Sequence, residues 1–174
     1  MTTWLVLWLH VLALAAWVGE TVFFSFVIAP ALFGGLPAEQ AGATVGLIFP
    51  GYYGLGYACG ALLVVTSAVI WRRSRPAGGR WLAAALVAGL SLATCLYAGV
   101  VIQPSAAALR PRLHDTQAAP EARAEFDALH ARAVQLNGVV LLGGLVLAGL
   151  LAVELRGTVR GGRRLSRYGS DQLL

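Results

Sequence analysis

Long, nearly uninterrupted apolar runs alternate along this chain with short polar connections. Crossing the hydrocarbon core of a bilayer takes about 20 apolar residues in a helix. Four runs reach that length, at about 4–28, 50–71, 81–102 and 131–153. Trp4, Trp8, Trp71 and Trp81 stand at or near their ends, where an amphipathic ring favours the headgroup level. The pattern predicts an all-α membrane protein: a four-transmembrane-helix bundle over residues 1–157, followed by a basic tail at 158–174.

The connections carry patterns of their own. Residues 38–49, AEQAGATVGLIF, are weakly amphipathic and predict a short helix lying at the interface before Pro50 opens span 2. Residues 121–136 follow Pro120 and bring acids into the first turn, both favourable at a helix start. Phe126, Leu129, Ala133 and Leu136 share one face there, so the fourth helix is expected to begin outside the membrane and enter it as one rod. Small residues four apart, Gly56 with Gly60, Ala85 with Gly89, Cys95 with Gly99 and Gly144 with Ala148, allow close helix contact. Gly19, Gly56, Gly60, Cys59 and Cys95 are the expected packing positions, and no internal repeat is evident.

Charge orients this bundle. Only 12% of residues are charged, about half the usual share of a soluble domain, and all 13 basic residues are arginine. Arg72, Arg73, Arg75 and Arg80 form one cluster beside the spans, and Arg156, Arg160, Arg163, Arg164 and Arg167 a second. Such clusters mark cytoplasmic segments facing anionic lipid, which places both termini in the cytoplasm and the loops 29–49 and 103–130 outside. The net charge of +5 is thereby assigned to the lipid bilayer rather than to nucleic acid, for which no binding motif accompanies it. Arginine without lysine, with abundant Ala, Gly and Leu, is the composition of a GC-rich bacterial genome, so the expected location is the bacterial inner membrane as a multi-pass protein. Span 1 lacks a positive n-region and has bulky Phe23, Phe24 and Phe26 after its alanines, which argues against a cleaved leader.

The candidate chemistry lies inside the spans. In HVLALAAWVGETVFF the carboxyl of Glu20 sits within the apolar run. A charged carboxylate there costs on the order of 3 kcal/mol, so the group must be protonated, paired or facing a wet cavity. Counting at about 1.5 Å per residue, Glu20, Tyr57, Cys59, Thr94, Cys95, Tyr97 and Asn137 fall into one layer of the outer half. That layer serves either as a proton or cation site open to the outside or as hydrogen-bonded glue between helices. His10 lies in the inner half, shares a face with Trp17, and is either a satisfied core imidazole or a metal or haem-iron ligand. Cys59 and Cys95 could pair or bind a soft metal, but buried cysteine more often packs as a small hydrophobe. His130 is at the outer surface and His114 in a polar loop. No CxxC, HExxH, P-loop, GxSxG or Rossmann glycine pattern is present, and Met1 is the sole methionine, which leaves no thioether copper pathway and little basis for an enzyme.

HVLALAAWVGETVFF, IAPALFGGLPAEQAGATVGLIFPGYYGLG and FDALHARAVQLNG together resemble the transmembrane protein 205-like group, also known as domain of unknown function 4149. The resemblance runs over about residues 9–153. It is carried by His10, Trp17 and Gly19, by Ala29, Pro30 and Phe33, by Ala41, Gly42 and Phe49, and by Phe126, Leu129, His130 and Asn137. The His…Trp-x-Gly piece alone is similar to the copper-resistance D membrane proteins and, more loosely, to the four-helix protoporphyrinogen oxidase of bacteria. Those resemblances imply copper handling or haem chemistry, although Glu20 replaces their Gly-Gly and lysine is absent.

Three functions are compatible with these residues. One is binding or translocation of a cation or metal ion, such as copper or zinc, with Glu20, His130 and Asn137 as ligands between helices 1 and 4. Another is a haem-binding redox bundle with His10 and Trp17 against the cofactor. The third is an accessory or scaffold subunit, with a homo-oligomer or a larger membrane complex as its partner.

Overall fold

The computed structural model describes residues 3–74, 78–114 and 119–170, with the side chains of the last helix followed as far as Arg156. Arg75, Asp171 and the side chains of His114, Arg160, Arg163, Arg164 and Arg167 lie outside the described residues. The chain is all helical. Helix α1, Thr3–Phe23, continues through a π-helical turn, Phe24–Ile28, into α2, Ala29–Gly35. Helix α3 is Ala38–Arg73, and α4 is Gly79–Tyr97. A second π-helical turn, Ala98–Ile102, leads into α5, Gln103–Leu109, and a 3-10 turn, Arg110–His114. Helix α6 runs Ala119–Ser170.

Four stretches are long and apolar enough to cross a membrane: Thr3–Gly35, Ala38–Arg73, Gly79–Leu113 and Pro120–Arg156. Their outward faces carry Trp4, Phe26, Leu47, Leu86, Leu90, Val100 and Leu142, all more than half exposed. Apolar surface on every side suits a lipid solvent, and the chain is an integral membrane protein of the multi-pass type. Each stretch is 33 to 37 residues long, or about 50 Å at 1.5 Å per residue. That is well beyond the roughly 30 Å thickness of the hydrocarbon core. At the end away from Thr3, Ala41, Val45, Leu109 and Ala122 are buried outside the main core.

Two expectations about the connections come out differently. The segment 38–49 is no separate interfacial helix; it runs through Pro50 as the first third of α3. Proline removes a single backbone donor, that for the Gly46 carbonyl, and the guanidinium of Arg110 lies against Gly46, its Nη1 2.7 Å from where a Cβ would stand. The expected rod is present, since α6 starts at Ala119 and continues unbroken into the membrane.

The two π turns share one cause. In each, the backbone N–H at the end reaches back five residues, from Ala29 to Phe24 O and from Gln103 to Ala98 O. Each is followed at once by proline, Pro30 or Pro104. A proline ring clashes with the carbonyl four residues earlier, and widening the preceding turn removes that clash.

The register that superposes Pro30 on Pro104 also superposes buried positions of α1 on those of α4: His10 on Ala84, Leu14 on Ala88, Trp17 on Ser91 and Thr21 on Cys95. Each is then followed by a long helix, α3 or α6. The chain is thus two similarly built hairpins, a repeat that residue identity conceals because pairs such as Trp17 and Ser91 share burial and nothing else. α3 packs on α1 and α4, and α6 on α4 and α1. Between them lies a core that includes Trp17, Leu63, Ala88, Val140 and Leu147.

Candidate functional site

Helix α1 presents His10, Leu14, Trp17 and Thr21 to the interior along a helical stripe. Glu20 sits at the edge of that stripe, half-buried, with Oε2 fully enclosed and without a hydrogen-bond partner among the described residues. Its neighbours converge on Gly56 of α3. A Cβ built at Gly56 would stand 3.1 Å from Cys95 Sγ, 3.4 Å from Trp17 Nε1 and 3.8 Å from Glu20 Oε1. Only a glycine lets α3 approach these three groups so closely, and Gly60, one turn on, does the same beside Leu92 and the Trp17 ring. Thr21 donates its hydroxyl to Trp17 O at 2.9 Å. Glu20 therefore lies among helices α1, α3 and α4, not between the first and last helices as its depth in the sequence suggested.

Asn137 of α6 belongs to a separate polar joint. Tyr52 donates to its Oδ1 at 2.5 Å, and its Nδ2 donates to Ser25 Oγ at 2.8 Å. Ser25 is within the first π turn, about 7 Å along α1 from Glu20 by helical rise. Tyr52 also joins a run of rings with Phe24, Phe49, Tyr53 and Tyr57. Tyr53 and Tyr57 close on Gly99 in the second π turn, leaving no room for a Cβ there. The aromatic run thus spans from one π turn to the other.

The other expected ligands are dispersed. His130 is exposed and stacks on Phe126, with centroids 6.4 Å apart and planes 6° from parallel. It stands about 10 Å beyond Asn137 by helical rise, further still from Glu20. Among the described residues no three His, Cys, Asp or Glu side chains gather closely enough to hold a metal ion. Cys59 and Cys95 are both buried and free. Gly19, expected in packing, is exposed, and a Cβ there would meet nothing within 4 Å.

His10 is 1% exposed. Its Nδ1 lies 2.8 Å from Thr66 Oγ1, and Trp81 stands edge-on to the ring at 5.3 Å. The cavity beside it measures about 10 Å³, room for about one water molecule. A flat haem therefore does not fit against His10, and Trp17 is taken up by Gly56 and Gly60. Thr66 and Ser67 were not among the expected residues. Their signal was available: two hydroxyls in an apolar run, as far from Arg73 as His10 is from the start of α1. The partnership of Tyr52 and Ser25 with Asn137 had no such signal, since it depends on helix rotation.

No solved structure matches this chain. An uncharacterized protein from Aquifex aeolicus is 51% identical over 43 residues, 25% of this chain and 33% of the relative. The chain thus spans about a third of the length of that curated relative. The family model described as domain of unknown function DUF4149 matches residues 12–115, which hold Trp17, Glu20, Gly56 and Cys95, and the chain belongs to that family.

Proposed function

We propose that this protein binds and exchanges a small cation, foremost the proton, at Glu20, in the inner membrane with both termini cytoplasmic. The observation that carries the reading is the enclosed, unpartnered Oε2 of Glu20 at the junction of three helices. An ionisable group inside a membrane bundle is costly and marks ion or proton pathways. A carboxyl with one oxygen left unsatisfied has a proton or cation as its natural complement. Cys95 beside it is a metal ligand, but among the described residues no group of three His, Cys, Asp or Glu side chains forms, fewer than the three or four protein ligands of a zinc site, which favours the proton over a metal ion. The dispersal of His130 and Asn137 favours it too. The polar joint of Ser25, Asn137 and Tyr52 lies on the side of Glu20 away from the arginines and supplies a hydroxyl-rich route toward the outer face.

The test is proton flux into liposomes carrying the purified full chain, driven by a potassium diffusion potential and read with an entrapped pH dye. Wild type is expected to conduct, and Glu20→Gln to lose at least 90% of that flux while inserting and folding normally. Equal flux from the two proteins, or none above empty liposomes from either, overturns the reading.

A further inference from the structure

Ten residues from Glu20 along α1, at the arginine-bearing end of the bundle, a second polar group is enclosed. The cavity there is lined by His10 of α1, by Arg80, Trp81 and Ala84 of α4, and by Leu147 and Glu154 of α6. Arg80 and Glu154 form an ion pair at its rim, with Nε 3.3 Å from Oε2 and side chains 55% and 34% exposed.

The hydrogen bonds around His10 favour one protonation pattern. Thr66 has one hydroxyl hydrogen, directed at the carbonyls of Leu62 at 2.7 Å and Leu63 at 3.2 Å. With that hydrogen given to Leu62 O, Thr66 Oγ1 accepts at the 2.8 Å contact with His10, and Nδ1 carries the proton. A neutral imidazole has one N–H, so Nε2 is left as a bare lone pair. The second hydroxyl of α3 at this level, Ser67 Oγ, is buried and has no partner among the described residues.

We infer that this cavity is a site for one water molecule and the proton it carries, with His10 Nε2 as the base and the Arg80–Glu154 pair as the latch. The cavity has the volume of a single water, and a buried water needs two to four polar partners; His10, Arg80 and Glu154 supply them. A hydronium ion entering here gives its proton to Nε2 and remains as water. The resulting imidazolium keeps its Nδ1–H bond to Thr66, and the carboxylate of Glu154, once Arg80 swings into solvent, balances its charge. The titratable groups lining the cavity are His10, Arg80 and Glu154; α3 meets His10 outside that lining, through the hydroxyl of Thr66. This site stands apart from Glu20, separated from it by the layer of Trp17, Leu63 and Ala88.

The experiment is nitrogen-15 and proton NMR of the full chain in nanodiscs, labelled at histidine, with His114→Gln and His130→Gln identifying the His10 signals. The expected result is a protonated Nδ1, a bare Nε2 and a cross-peak between the ring and a long-lived water. Ala84→Val, which fills the cavity, should remove the cross-peak. Arg80→Gln and Glu154→Gln, both at partly exposed positions, should each speed solvent exchange of the Nδ1 proton at least tenfold, with helix content unchanged by circular dichroism. A proton on Nε2, no water cross-peak in wild type, or exchange unaltered in both latch variants overturns the proposal. The measurement requires no gradient and leaves Glu20 intact, so its failure is distinct from a failure of the flux experiment.

Discussion

Gly56 brings a sulfur, an indole nitrogen and a carboxyl oxygen from two neighbouring helices within 4 Å of one point. A methyl group placed there would displace one of them, and overpacking of this kind costs about 1–3 kcal/mol. Alanine is otherwise the better helix residue by roughly 1 kcal/mol, so the net effect depends on surroundings. Gly56→Ala is expected to destabilise the protein by about 1 kcal/mol and to depress proton flux. Gly19→Ala, with open space around it, is expected to leave flux unchanged and stability equal or higher. Unfolding in graded sodium dodecyl sulfate checks both, and equal behaviour of the two variants would refute the convergence at Gly56. Residue identity alone singled out Glu20 and Gly56, because a carboxyl in an apolar run and a small-residue pair are visible without coordinates. The role of Trp17 as a neighbour of the carboxyl was not legible. Which side of α1 its ring covers is decided by α3, and in the sequence it was equally suited to flank a cofactor.

At the scale of elements, one polar joint ties three helices: Ser25 beside α1, Tyr52 on α3 and Asn137 on α6. Hydrogen bonds between membrane helices average about 0.6 kcal/mol and reach roughly 1.7. Tyr52→Phe and Asn137→Leu should each destabilise the bundle by about that much. The double variant should cost less than the sum, because each single change already breaks the shared bond. Strict additivity in a double-mutant cycle would show that the joint contributes no coupling. The spans themselves were legible from hydropathy because lipid requires long apolar helices and accepts little else. Their ends were not. Pro50 reads as a helix start, yet α3 passes through it, since one lost donor is outweighed by burying Ala41 and Val45. The π turns left no hydropathy signal. Their only trace was the pair of prolines, Pro30 and Pro104, which terminate helices as often as they widen them.

For the whole molecule, the arginines bear on orientation. Arg72, Arg73, Arg80 and Arg156 come together at the end that carries Thr3, which supports a cytoplasmic placement of that end. Reporter fusions after Ser74 and at the C-terminus should be active only in the cytoplasm, and one at Pro37 only outside. A fusion at Pro37 that is active in the cytoplasm would reverse the assignment and, with it, the sides to which Glu20 and His10 open. The hairpin correspondence bears on the same point through parity. A unit that crosses the membrane twice returns to the side from which it set out. Such a unit can be followed by another of its own kind in the same orientation, its arginines facing the same compartment, with no charge needing to change sides. A unit of one or three crossings would emerge inverted. The residues at matched positions, Glu20 on Thr94 and His10 on Ala84, are therefore held at equal depth by construction and are free to differ in chemistry. One half of the molecule carries Glu20 and His10, and the other half faces them with Cys95, Arg80 and Glu154.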